Sequence, residues 1–192
     1  MNPNGDIDVR NLDLVFVDLE FSGLDLSKEV LEIGFVKVKA KTYEVMVEKD
    51  IKIKPIHIET ADPAALEVNE YNAEEWAREG VSLEEGVAEF LKYTEGVMLV
   101  GHNLAMDWMF LQKSIEACGK KPNYLYKGLD TYSLGWMLLR GKAEIKRFSL
   151  DEMSKYFGIQ RARAHRALDD AQATHQVFLH LLREYERQVN AK

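Results

Sequence analysis

Two carboxylates follow an apolar run near the start of the chain, where Leu14-Val15-Phe16-Val17 leads into Asp18 and, two residues on, Glu20. A run of that kind reads as a buried strand. The period of two along a strand puts Asp18 and Glu20 on one face. Carboxylates held that close repel unless a cation lies between them. Ligands that are all oxygen suit Mg²⁺ or Mn²⁺ rather than Zn²⁺. Further on, Asp107 closes the string Gly-His-Asn-Leu-Ala-Met-Asp, and His165 and Asp170 stand in His-Arg-Ala-Leu-Asp-Asp. An imidazole titrates near neutrality and can take or give a proton there. Each of these residues also has an ordinary reading: a strand end with two solvated acids, a surface or capping aspartate, a satisfied histidine. To dismiss a common site, all of those readings must hold together.

The surrounding pattern predicts elements that can bring these residues together. Residues 12–19 read as the first strand, and 30–40 and 43–54 as two more joined by a short turn. Residues 59–72 lack a clear period and read as a loop. A short helix over 73–79 ends at Gly80. Ser82-Leu83-Glu84-Glu85 is a capping box, followed by the stripe Leu83, Val87, Phe90 and Leu91, with Gly96 as a stop. Residues 97–100 form a short buried strand ending at Gly101. Asn103 starts a helix carrying Trp108, Leu111 and Ile115. Residues 125–129 form another strand, and Asp130 caps a helix over Leu134, Met137 and Leu138. Ser149-Leu150-Asp151-Glu152 reads as a second capping box, closed at Gly158. A long amphipathic helix over 168–189 turns Ala171, Val177, Phe178, Leu181, Leu182 and Tyr185 inward. Strands first, then strands alternating with helices, give an α/β fold with a mixed central sheet flanked by helices. Ligands of such sheets bind near strand ends, so the acids can converge.

Length and composition are those of one domain. The chain has 192 residues, 46% hydrophobic and 30% charged, and shows no repeat or low-complexity tract. That balance is ordinary globular composition and argues against disorder. The lone Cys118 forms no internal disulfide, which fits a reducing, cytoplasmic setting. The polar first ten residues are not a signal peptide, and no apolar stretch is long enough to span a membrane. A net charge of −7 argues against a general nucleic-acid coat protein. The charge is uneven: from Arg140 to Arg166 there are eight basic residues against three acidic ones. Alone, that stretch reads as a solvated basic face.

Taken together, the strings resemble the DEDD superfamily of 3′–5′ exonucleases in its histidine branch, which includes the proofreading exonuclease subunits of bacterial replicative polymerases. The likeness runs over about residues 14–182. Asp18 to Leu24 match the first motif, Asp-x-Glu-x-Thr/Ser-Gly-Leu. Gly101 to Asp107 match the second, and His165 with Asp170 the third. Glu32-Ile33-Gly34 also resembles the family's second strand. Met106 stands where the family often has Phe, and Phe21 and Ser22 where it often has two threonines. These departures leave every metal ligand in place.

The resemblance implies a ribonuclease H-like fold and one exonuclease domain over 1–192, with its core at about 12–185, standing alone. It implies two divalent ions, Mg²⁺ or Mn²⁺, roughly 4 Å apart on the phosphate. Asp18, Glu20 and Asp170 would hold the first. Asp18 would bridge to the second, and Asp107 would bind mainly through water. His165 would take the proton of the attacking water, and the product would be a nucleoside 5′-monophosphate. Ser22, Gly23 and Leu24 would meet the 3′-terminal nucleotide near Met106, and His102 and Asn103 its sugar or phosphate. Asp170 rather than Asp169 fits the family spacing. We add that Arg161, Arg163 and Arg166 are placed to contact phosphates. The expected substrate is a nucleic-acid 3′ end, single-stranded DNA first, with a DNA polymerase as a candidate partner. Two rivals remain: an RNA exonuclease or oligoribonuclease, and a catalytically silent interaction module on the same fold.

Overall fold

The apolar run becomes the middle of a five-stranded sheet. The computed structural model describes residues 7–161 and 163–190. β1 (Leu14–Phe21), β2 (Val30–Val38), β3 (Val45–Lys52), β4 (Met98–Gly101) and β5 (Gly128–Asp130) lie in the order β3-β2-β1-β4-β5. β1, β2 and β3 pair antiparallel, while β4 joins β1 and β5 joins β4 in parallel. The sheet is therefore mixed, as the opening meander predicts.

Helices cover both faces. They are α1 (Pro63–Val68), α2 (Ala73–Glu79), α3 (Leu83–Tyr93), α4 (Ala105–Ala117), α5 (Thr131–Leu139), α6 (Leu150–Phe157) and α7 (Ala167–Asn190). On one face Val15, Val17 and Leu19 pack with Val87 and Phe90 of α3 and Phe110, Leu111 and Ile115 of α4. On the other, Leu14 and Phe16 pack with Ala171 and Phe178 of α7. α5 and α6 are held to α7 through Leu139, Met153, Val177 and Leu181. A strand buried on both faces needs an unbroken apolar run. Each large side chain fully buried contributes about 1.5–3 kcal/mol. Among the described residues, no helix is long and apolar enough to cross a membrane.

Several elements differ from their sequence patterns. Residues 59–72 hold a 3₁₀ turn (Ile58–Thr60) and α1 rather than a plain loop. Asp62 caps α1 through the Ala64 N–H, and Pro63 sits at its first position, where a proline's missing donor costs nothing. α4 begins at Ala105, two residues after Asn103, because Asn103 takes the left-handed region at φ 64°. β5 is shorter than 125–129: Leu125 still donates to the Val97 carbonyl, but Tyr126 turns out to solvent and the ladder resumes at Gly128. α5 buries Thr131, Gly135 and Leu139, and Leu134 and Leu138 of the expected stripe pack half-buried against the core, while Met137 is exposed. The second capping box is half made. Ser149 accepts from Glu152 N–H, while the Glu152 carboxylate turns to the N–H groups of Arg147 and Phe148. Tyr185 lies beyond the covered part of α7 and is exposed.

Candidate active site

The site forms where the β1–β4 ladder stops. β4 pairs with β1 only from Leu14 to Phe16, so the edge of β1 beyond Phe16 is open on that side. Asp107, in the first turn of α4, fills the gap: its carboxylate accepts the Leu19 N–H at 3.0 Å. A buried backbone donor is thereby satisfied by the Asp107 side chain. Asp18 and Glu20 continue the even-numbered face of β1, the face that Phe16 turns toward α7. The register shifts between Glu20 and Phe21, an irregularity of the kind that re-aims side chains at strand ends.

α7 brings Asp170 onto that face because of one glycine. Gly34 lies opposite Asp18 in the β1–β2 ladder. A β-carbon at Gly34 would stand 2.0 Å from the Ala167 carbonyl carbon and 2.1 Å from the Leu168 nitrogen. The first turn of α7 thus rests directly on the sheet. It is anchored beside this contact by Arg166, whose buried guanidinium pairs with Glu32 at 3.2 Å and with Glu75 at 3.5 Å.

Asp18, Glu20, Asp107 and Asp170 line one cavity of about 550 Å³, together with His102, Asn103, Met106, His165, Gly23 and Leu24. Glu20, His165 and Asp170 each present a ligand atom within 4.8 Å of the others. His165 is exposed and sits at φ 62° in the turn before α7. α1 supplies a wall that the sequence reading missed: Asp62, Ala64, Ala65, Val68 and Asn69 also line the cavity. Asn69 ties this wall to the strand by donating to the Phe21 carbonyl at 2.8 Å. The Asp62-Pro63 pair is a start signal that points to α1, whereas nothing local in the sequence marks Asn69. Asp130 is a second omission, since its carboxylate accepts from Asn103 N–H and Tyr132 N–H and so holds the Gly-His-Asn loop.

A family model described as exonuclease (RNase_T) matches residues 15–178. The chain belongs to the exonuclease family. Among curated relatives, a DNA polymerase III PolC-type protein of Caldanaerobacter subterraneus is 28% identical over 91% of this chain and 12% of its own length. The DNA polymerase III subunit epsilon of Aquifex aeolicus is 29% identical over 88% of this chain and 80% of its own. The chain thus spans about an eighth of the PolC-type relatives. Among solved structures, E. coli exonuclease I in complex with a dT13 oligonucleotide aligns with a TM-score of 0.79 at 16% identity, over 94% of this chain and 43% of that one. That likeness establishes the ribonuclease H-like fold and no more.

Within this exonuclease fold, some residues expected at the substrate lie elsewhere. Ser22 is fully buried and its hydroxyl accepts the Glu29 N–H at 2.9 Å, so it closes the turn after β1 instead of facing the cavity. Arg166 is committed to Glu32 behind the site and cannot reach a phosphate. Arg161 is buried against Asp170 as an ion pair. Both arginines are drawn inward by buried carboxylates, Arg161 by Asp170 and Arg166 by Glu32. Arg163 remains exposed, 3.9 Å from Asp169, and does not line the cavity.

The donor set is hard, mostly carboxylate oxygen with one imidazole, and it suits a divalent cation. Its electrostatics point the same way. Burial, then the charges of Asp107, Asp170 and Glu20, hold the Asp18 carboxyl well above the ordinary carboxylate range. Asp18 keeps some surface open to the cavity, while the other three are buried. Glu20 is pushed up to about 8 by burial and then by Asp170 and Asp107. Burial raises Asp107 to about 7, against the Leu19 N–H. Burial also raises Asp170, against Arg161.

Without metal these groups make the fold sensitive to pH. A carboxyl with a raised folded pKa keeps its proton where the unfolded chain has lost it. The native state then binds more protons, and stability falls as pH rises. For Glu20 and Asp107 the window opens at their ordinary values of 4.5 and 3.8 and closes near 8 and 7. In EDTA the melting temperature is expected to fall from about pH 5 to pH 8 and then level off. Saturating Mg²⁺ should shrink that slope. It should not remove it, because Glu32, pushed up to about 8 chiefly by burial, lies outside the cavity. A melting temperature that climbs across this range in EDTA would contradict the placement of the acids.

Proposed function

We propose that this chain is a metal-dependent 3′–5′ exonuclease that releases nucleoside 5′-monophosphates from a nucleic-acid 3′ end, with single-stranded DNA as its preferred substrate. The observation that carries this reading is the meeting of Asp18, Glu20, Asp107 and Asp170, from three separate elements, in one open cavity beside His165. The family membership supports it.

Asp18, Glu20, Asp107 and Asp170 would hold two divalent ions, Mg²⁺ or Mn²⁺, which when bound supply the charge that offsets the phosphate and activates a water. His165 would accept the proton of that water as its oxygen bonds to phosphorus. The bond from phosphorus to the 3′ oxygen breaks, and the shortened strand keeps a new 3′ hydroxyl. Gly23, Leu24 and Met106 would enclose the terminal base and sugar, with Leu24, 77% exposed, projecting as a wedge. His102 and Asn103 would meet the sugar or phosphate. The names of the relatives support a DNA polymerase as a partner.

The test is direct. Purified protein with Mg²⁺ or Mn²⁺ is given 5′-labelled single- and double-stranded DNA and RNA. A ladder shortening from the 3′ end of single-stranded DNA is expected. A ladder on RNA alone would move the reading to an RNA exonuclease, and metal binding without any ladder would leave a silent module on this fold.

The third motif has its own test. Asp170 is buried and lines the cavity. Asp169 lies in a separate groove with Glu48, Gln172 and Gln176. Adjacent side chains on a helix diverge by about 100°, so only one can serve. Asp170→Asn is expected to abolish cleavage and Asp169→Asn to be tolerated within about twofold, a change worth less than 1 kcal/mol. The opposite pattern in a ladder assay would overturn the assignment.

A further inference from the structure

α5 leads away from the mouth of the cavity. The hydroxyl of Thr131, its first residue, lies 3.0 Å from His102 Nδ1, and His102 lines the cavity. The His102 ring stands edge-on to Tyr132 at 6.2 Å between centroids. From there Tyr132, Trp136 and Arg140 recur at every fourth residue, one stripe rising about 6 Å per step. The helix buries the neighbouring stripe, about 100° round, through Thr131, Gly135 and Leu139. Tyr132 is 39% exposed and Trp136 50% exposed, so the stripe is not used by the core.

The stripe is also basic. The Arg140 guanidinium stands 5.5 Å over the Trp136 ring. Residues 140–147 carry four basic side chains and one acidic, on a chain of net charge −7. Lys142 faces Glu184, and Arg147 faces Asp151 and Glu152. Arg140 and Lys146 make no ion pair among the described residues.

Exposed aromatic rings beside a cation that no carboxylate holds are what a single strand needs: every base offers a face to stack, and every linkage a phosphate to pair. A duplex hides those faces. We propose that the outer face of α5 is the track for the strand just upstream of the 3′-terminal nucleotide. Successive bases stack on Tyr132 and on the face of Trp136 that Arg140 leaves open, and Arg140 meets a phosphate. The track continues the cavity at His102, and it rests on the exonuclease reading given above.

The experiment measures binding rather than cleavage. Oligothymidylates of two, four and eight nucleotides, with phosphorothioate linkages that resist hydrolysis, are titrated against the protein in Mg²⁺. Wild-type affinity is expected to rise with length. Trp136→Ala should lose about tenfold on the eight-nucleotide strand, a typical loss for one stacked base, and little on the dinucleotide. Trp136→Phe should restore most of that loss. Tryptophan fluorescence should be quenched by the longer strand and not in Trp136→Ala, since Trp76 is buried and Trp108, half-buried, packs against Tyr124 outside the cavity. Arg140→Ala should flatten the slope of log affinity against log salt by about 0.7, the value for one phosphate on a single strand. If Trp136→Ala binds the eight-nucleotide strand as wild type does, the track is wrong and this face belongs to another partner. If the wild type binds no strand of any length, the exonuclease reading falls with it.

Discussion

Asp18→Ala is expected to remove cleavage, by a factor on the order of 10³ or more, since the charge stabilisation that metals supply is worth several kcal/mol and each 1.36 kcal/mol is tenfold. EDTA should do the same to the wild type, with one difference. Added Mg²⁺ or Mn²⁺ rescues the chelated wild type and leaves the variant inactive. The reason lies in the position of Asp18. Its carboxyl feels Asp107, Asp170 and Glu20 together, so its removal takes away a ligand within reach of all three others. The same position predicts a second effect of opposite sign. Without metal, an ionised Asp18 destabilises the fold, because burial and like charges oppose its ionisation. Asp18→Asn should therefore melt higher than wild type in EDTA at pH 8, and gain less from Mg²⁺. Single-turnover rates and paired melting curves check both effects. Full wild-type cleavage in excess chelator would end the metal-dependent reading.

His165→Ala is expected to slow cleavage by about 10²–10⁴-fold, the usual contribution of a general base, while leaving divalent-ion binding close to wild type. His165 lies in the turn before α7, exposed, with a ring nitrogen within 4.8 Å of carboxylate oxygens of Glu20 and Asp170. The four carboxylates are fixed by β1, α4 and α7, and the histidine's contact with Asp170 through its backbone N–H is kept by alanine. Its backbone takes φ 62°, a region costing a non-glycine residue about 1–2 kcal/mol. Alanine keeps that cost, so a change of turn does not explain a loss of rate. Added imidazole should restore part of the rate by entering the vacated space. Calorimetry of Mg²⁺ or Mn²⁺ binding separates the base from a ligand. A variant as fast as wild type would remove His165 from the mechanism, and one that no longer binds metal would make it a ligand.

The sequence by itself determined what local chemistry fixes. The unbroken run 14–17 reads as a buried strand, and the period of two then puts Asp18 and Glu20 together on one face. Ser82 and Glu85 close a full capping box that sets the start of α3. The acids and histidine were legible because their strings are short and ordered.

The tertiary structure decided what depends on contacts across the chain. Gly34 reads as an ordinary strand glycine until α7 is seen lying against it. Arg161 and Arg166 read as free cations until the acidic site and Glu32 are folded beside them. Ser22 reads as a substrate-facing hydroxyl until Glu29, seven residues on, takes it up. α5 packs Leu134 and Leu138 of its apolar pattern but leaves Met137 exposed and buries Gly135 instead, because the covered face is set by where Met153 and Phe148 lie and not by the helix's own period alone. Local sequence fixes backbone states and strand faces, since those follow from steric and hydrogen-bonding rules within a few residues. Which charges pair and which faces are covered depends on partners distant in sequence, and those meet only in the folded chain.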